Sequence, residues 1–150
     1  MVTGVISVFP EESIVVVAER MADRHIHGLP VIDGNRRVLG IVTERDFFVD
    51  ERLHLHLPSF MKFMRKALIP KTLDAEDEEA VRGMLDLTAR DIMTSPCVTV
   101  RSDETIEEAI VLCAQKHIRT LPVVGADGTL VGIVTSSNLM LSLFQEGDEI

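Results

Sequence analysis

Apolar positions follow two rhythms along this chain, and each rhythm occurs twice. Ile14, Val17, Ala18, Met21 and Ala22 recur at three- and four-residue spacing, as do Ile106, Ala109, Ile110, Cys113 and Ala114. That spacing predicts two amphipathic helices. Ser13 is placed to cap the first; for the second, Ser102 is the expected cap, with Thr105 at the third position. After each helix the pattern changes to short β-branched runs. Leu29, Pro30, Val31 and Ile32 lead into Asp33, Gly34 and Asn35, and Val38, Leu39, Gly40, Ile41 and Val42 return. Leu121, Pro122, Val123 and Val124 lead through Gly125, Ala126, Asp127 and Gly128 to a second return over 130–134. Turn residues between such runs predict hairpins. A proline donates nothing to a ladder, so Pro30 and Pro122 are expected at a strand start or an edge. Extended stretches at 4–8 and 96–100 precede the helices, and Thr43 and Thr135 each open a final helix. The unit is strand, helix, strand, strand, helix.

The two units are one sequence used twice. Residues 13–47 align without a gap on 105–139, an offset of 92. His25, Ile26, Leu29, Pro30 and Val31 fall on His117, Ile118, Leu121, Pro122 and Val123; Gly40, Ile41, Val42 and Thr43 fall on Gly132, Ile133, Val134 and Thr135. Two copies are too few for a solenoid, which needs about three units to bury a core. Two halves packed about a pseudo-two-fold axis are expected instead, with any site between them present twice.

Composition narrows what such a pair does. The 150 residues suit two intimately packed halves, each marginal alone. A 46% hydrophobic content supports a real core, while no apolar run approaches the roughly 18–20 residues of a membrane span. No signal peptide opens the chain. Cys97 and Cys113 lie in apolar periodic segments and read as reduced and buried, which points to the cytoplasm. The net charge of −9 opposes nucleic-acid binding, which needs a basic face.

The H-x-x-L-P-V entry and the G-I-V-T-x-x-D/N ending, in order and twice, resemble the CBS domain, named after cystathionine β-synthase. Two in tandem form a CBS pair, or Bateman module. The resemblance implies an α+β fold of two βαββα repeats packed about a pseudo-two-fold axis: repeat 1 at 1–49, repeat 2 at 91–145, a helical segment at 50–90 between them and a tail at 146–150. It also implies a regulatory role, an adenosyl ligand (AMP, ADP, ATP or the S-adenosylmethionine class) in the inter-repeat cleft, no obligatory cofactor, and a homodimer. Because Met1 aligns with Met93, the residues that usually precede the first strand are missing. That fits either a short native start or a boundary within a longer protein.

Thr43 and Asp46 support two readings. Thr43 can be a helix N-cap with Asp46 reaching back to it. Alternatively, Asp46 at a helix start can accept the 2′- and 3′-hydroxyls of a ribose while unpaired N–H groups favour an anion; the resemblance favours this ribose contact. Thr135 and Asn138 form the second site, and it departs from the family pattern because Asn138 stands where Asp is usual. By resemblance, His27 and Arg119 face the ligand's phosphates. Arg45 is a further phosphate candidate with Ser137 as its counterpart, and backbone at Thr3 to Val5 and Ser95 to Cys97 meets the base. His25 and His117, at the helix ends, are expected to be structural.

Between the repeats, Phe60, Met61, Phe63, Met64, Ala67 and Leu68 interleave with Lys62, Arg65 and Lys66, and an acidic stretch carries Val81, Met84 and Leu85. Helices are expected at 58–68 and 74–87, the first as core or dimer interface, with a membrane surface or a partner as the alternative for its basic face. His54 and His56 lack the Cys or carboxylate partners of a metal set. No nucleophile with a base, metal set or acid pair repeats, so the chain reads as a sensor and not an enzyme. It would respond to a small-molecule nucleotide and act on itself or on a regulated protein partner. The alternatives are a structural dimerisation module with degenerate clefts, and a regulatory piece of a larger enzyme or transporter.

Overall fold

The computed structural model describes residue 1, residues 3–49 and residues 86–146. The helices expected at 58–68 and in 74–85, and the tail from 147, lie outside the described residues.

Each repeat begins where its helix cap dictates. The Ser13 hydroxyl accepts the Val15 N–H (3.2 Å) and opens α1, Ile14–Arg24. In the second repeat the cap is Thr105 and not Ser102. Its hydroxyl accepts the Glu108 N–H (3.2 Å), Glu108 returns to the Thr105 N–H (2.8 Å), and the helix runs Ile106–Lys116. Ser102 lies one turn earlier, in the turn closed by the Glu104 N–H on Arg101 O, and donates its backbone N–H to Val124 O. His25 and His117 end these helices in the left-handed conformation (φ 52° and 54°), each N–H returning to the last turn. Both are exposed caps and not packed side chains.

The hairpins follow. β1 (Gly28–Ile32) pairs antiparallel with β2 (Val38–Thr43) from Gly28↔Thr43 to Ile32↔Val38. A short α2 covers Asp46–Val49. After α3 (Ala89–Ile92), β3 (Val100–Arg101) pairs parallel with β4 (Thr120–Val124), and β4 pairs antiparallel with β5 (Leu130–Thr135). With Ile106–Lys116 as α4, the chain closes on α5, Ser136–Glu146.

The expected first strands shrink to a single parallel bridge at Val8 and to the two residues of β3. The prolines supply the reason: both lie in mid-strand, Pro30 in the edge strand β1 and Pro122 in β4, which β3 flanks only at Val123 and Val124. Ile32 donates its N–H to Val8 O. Strand periodicity points the position of Pro30 to the same side, where it has no N–H to offer the chain before Val8. Pro122 stands in the same relation to the chain before Val100. Each proline thus limits the pairing of the stretch beside it.

The pseudo-two-fold axis is visible where residues 92 apart touch each other. Arg37 bridges Thr129, and a Cβ on Gly28 would lie 3.3 Å from the Thr120 side chain. A threonine at both 28 and 120 would crowd the axis; glycine in one copy makes room. Beside it Leu130 donates its N–H to Arg36 O (2.8 Å), and Arg36 Nη2 reaches Leu130 O (3.3 Å). Two cores result. Val8, Ile14, Val17, Met21, Leu29, Val31, Val42 and Phe47 form one; Val100, Ala109, Cys113, Leu121, Val123, Val134 and Leu139 form the other.

The chain entering the second repeat packs on the first. Ala89 and Ile92 belong to the first core, with Leu87 and Met93 against it. Leu87 is extended and not helical: its carbonyl accepts the Ile14 N–H (3.1 Å). Thr94 and Ile41 exchange backbone hydrogen bonds of 2.9 and 3.2 Å across β2. Gly40 is required there, because a Cβ would meet Thr94 O at 2.7 Å and Met93 Sδ at 2.9 Å. No described helix is long and apolar enough to cross a membrane.

Candidate functional site

The ends of β1 and β2 nearest the axis carry the first group of candidate residues. Thr43 is the last residue of β2, opposite Gly28. The chain then turns through Glu44 and Arg45 into α2. Asp46 closes that turn: its Oδ2 accepts both the Thr43 N–H (2.6 Å) and the Thr43 hydroxyl (3.0 Å). The cap geometry is therefore realised. It uses one carboxylate oxygen and leaves Oδ1 with no protein partner among the described residues. Burial pushes the Asp46 carboxyl above its ordinary 3.8; the two Thr43 hydrogen bonds and Arg45 pull the other way. Thr88 and Asp91 repeat the arrangement at α3 (2.8 and 3.0 Å), so the Thr-x-x-Asp motif by itself makes a cap.

His27 lies beside this turn. Glu44 donates its N–H to His27 O (3.2 Å), and His27 Nδ1 meets Glu44 Oε1 at 2.9 Å with the imidazole 76% exposed. Glu44 was not among the sequence candidates. Its only signal was opposite character in the duplicate, where Ser136 takes its place. A histidine held by a carboxylate is a weaker anion ligand than a free cation.

The second group has the same frame with different chemistry. Thr135 ends β5 opposite Thr120, and Ser136 donates its N–H to Arg119 O (2.9 Å). Here β5 passes straight into α5, without the turn seen at Glu44 and Arg45. The Thr135 hydroxyl donates to Asn138 Oδ1 (2.8 Å) and accepts the Asn138 N–H (3.2 Å). Asn138 is exposed, as are Ser137 and Arg119, and among the described residues Arg119 has no carboxylate partner such as Glu44. The Gly28–Thr120 contact brings the two strand ends together across the axis.

The base-side candidates are spread more widely. Thr3 is exposed and Val5 half-buried, with Gly4 between them at φ 74°. Ser95 donates its hydroxyl to Leu39 O (2.8 Å), which ties it to the first repeat's β2. Cys97 is half-buried, and burial raises its thiol above the ordinary 9.0, so it is held as a neutral thiol. No distance among the described interactions links Thr3, Val5 or Cys97 to Asp46 or Asn138.

The CBS domain family model matches residues 1–49 and 89–144. The chain belongs to the CBS-domain family. Its two matches make it a tandem CBS pair of mixed α and β structure, and relatives show the same pair in several settings. An uncharacterised protein of Methanocaldococcus jannaschii is 30% identical over 143 residues, covering 92% of this chain and 85% of that protein. The structure of CBSX2 in complex with AMP superposes with a TM-score of 0.70 at 27% identity, covering 96% of this chain and 90% of that one. The inosine-5′-monophosphate dehydrogenase of Korarchaeum cryptofilum is 32% identical over 139 residues; the match takes 93% of this chain but 22% of that enzyme. A CBS pair of this length thus matches both a protein only slightly longer and a minor part of a large enzyme.

Proposed function

We propose that this CBS pair is a regulatory, non-catalytic module that binds an adenosine-containing anion between its repeats. The ribose would lie at Asp46 and the phosphates near Thr43, His27, Arg45 or Arg119. The observation that carries this reading is the divided carboxylate of Asp46. Oδ2 is fixed by Thr43, which leaves Oδ1, with no partner among the described residues, able to accept from a diol. The AMP complex of CBSX2, at 27% identity, supports the ligand class. The Thr135 and Asn138 site would be the weaker of the two. A neutral amide contributes about 0.5–1.5 kcal/mol per hydrogen bond where a carboxylate contributes about 1.5–3, or roughly tenfold in affinity. The base would meet backbone at Thr3 to Val5 and Ser95 to Cys97.

Thermal unfolding with AMP, ADP, ATP and S-adenosylmethionine, with and without Mg²⁺, tests the reading. A site filled at a hundred times its Kd adds about 2.7 kcal/mol, which for a chain of this size raises Tm by roughly 5–10 °C. If none of these ligands moves Tm, the module is structural and not a sensor.

The same module is proposed to act as a homodimer. On α5, Met140, Leu141, Leu143 and Phe144 are exposed, Phe144 to 71%. Light scattering at micromolar concentration should give twice 16.7 kDa; a species of 16.7 kDa alone would contradict it.

A further inference from the structure

The two repeats put different charge at one equivalent place. In each, the residue after the strand-end threonine donates its N–H to the carbonyl of the residue preceding Gly28 or Thr120: Glu44 to His27 O (3.2 Å) and Ser136 to Arg119 O (2.9 Å). Residues 27 and 44 therefore stand to each other as residues 119 and 136 do. Their side chains do not match. Glu44 Oε1 lies 2.9 Å from His27 Nδ1, with both side chains largely exposed. Ser136, in contrast, places only a hydroxyl beside Arg119. With its imidazole neutral, the His27–Glu44 pair carries a charge of −1, and with it protonated, 0; neither state reaches the +1 of Arg119 with Ser136. The turns that follow do not restore the balance. Arg45 and Asp46 offset each other, and Ser137 and Asn138 are uncharged.

We propose that Glu44 is a specificity-determining residue: it makes the Asp46 site select adenosyl ligands of low negative charge, a nucleoside or its monophosphate over the di- and triphosphate. The inference rests on the adenosyl reading above and deepens it. Glu44 is two residues from Asp46, in the turn that Asp46 closes through the Thr43 N–H and hydroxyl (2.6 and 3.0 Å). It is also held to residue 27 by backbone and side chain together, so its carboxylate is a fixed charge beside the ribose acceptor. Each further phosphate brings more negative charge towards it. A unit charge about 8 Å from a carboxylate, in a medium between water and a protein surface, costs roughly two- to thirtyfold in affinity. Arg119 has no such carboxylate among the described residues, so a longer phosphate chain belongs at the Asn138 site.

The test is calorimetry with adenosine, AMP and ATP in EDTA, so that no Mg²⁺ masks the phosphates. The Asp46 site is read in an Asn138→Ala background, where AMP should bind at least fivefold more tightly than ATP. Glu44→Gln keeps the size and a hydrogen-bonding oxygen for His27 but removes the charge, and should raise ATP affinity relative to AMP at least fivefold. Glu44→Asp keeps the charge and should keep the preference for AMP. The reverse exchange, Ser136→Glu read in an Asp46→Ala background, should weaken ATP at the other site at least fivefold, and it tests the same idea if Glu44→Gln misfolds. ATP that binds the Asp46 site as tightly as AMP, or a ratio unchanged in Glu44→Gln, overturns the inference and leaves the adenosyl reading standing. A preference lost equally in Glu44→Asp and Glu44→Gln also overturns it, because shape and not charge then sets the choice. If none of the three ligands binds the wild type, the adenosyl reading falls and this inference falls with it.

Discussion

In the first repeat Ile14 is fully buried because Leu87, Ala89 and Ile92 complete the core around it; in the second, its counterpart Ile106 stays partly exposed, with no such cover among the described residues. The two sites differ as well. The first has a half-buried carboxylate, Asp46, beside a histidine that Glu44 already holds; the second has an exposed amide, Asn138, beside an Arg119 with no carboxylate partner among the described residues. Duplication has therefore kept the backbone and divided the chemistry. One half holds a half-buried carboxylate on a well-covered core, and the other offers a cation and, among the described residues, a less covered core.

The largest expected effect tests the cores. Ile14→Ala removes a residue with no exposure and should cost about 4 kcal/mol in urea unfolding, while Ile106→Ala should cost about 2. Equal losses would mean that the cover of the first core adds nothing.

Much of this contrast is legible in the sequence, and the exceptions have physical reasons. The offset of 92 gives both helices, both hairpins and the axis, because identical patterns bury identical faces. Ser102 misleads as a cap because both Ser102 and Thr105 are good cap residues, and the reciprocal bonds between Thr105 and Glu108 mark the one that is used. The prolines stand where one side of the strand is unpaired, as their missing N–H requires, but in mid-strand and not at its start. The crossing of 87–94 onto the first repeat has no local signature at all; it depends on contacts between residues about 75 apart, such as Ile14 with Leu87. Thr43 bonds Asp46 and Thr135 bonds Asn138, as the three-residue cap spacing predicts. The His27–Glu44 pair is invisible in sequence because it forms across two strands.

A smaller effect sharpens the difference between Asp46 and Asn138 through pH. Burial raises the Asp46 carboxyl above 3.8, so the folded protein holds that proton more tightly than the unfolded chain does. Asp46 alone therefore makes stability fall as pH rises from 3.8 through its folded value. Ligand binding at the proposed site would have the opposite sign, because a ribose held there would need the carboxylate. AMP affinity should weaken on acidification from a pH above 3.8, by up to about tenfold, relative to Asp46→Asn measured over the same range. Identical pH profiles for the two proteins would remove Asp46 from the site.

The most direct measurement is calorimetry of AMP binding to the wild type and to the exchanged pair Asp46→Asn and Asn138→Asp. Asp46→Asn should weaken the tighter site about tenfold, and Asp46→Ala by about ten- to a hundredfold, with the fold intact because a lost cap costs about 0.5–2 kcal/mol. Asn138→Asp should strengthen the weaker site about tenfold. Affinity that is unchanged in Asp46→Ala would contradict the account, whatever the second site does.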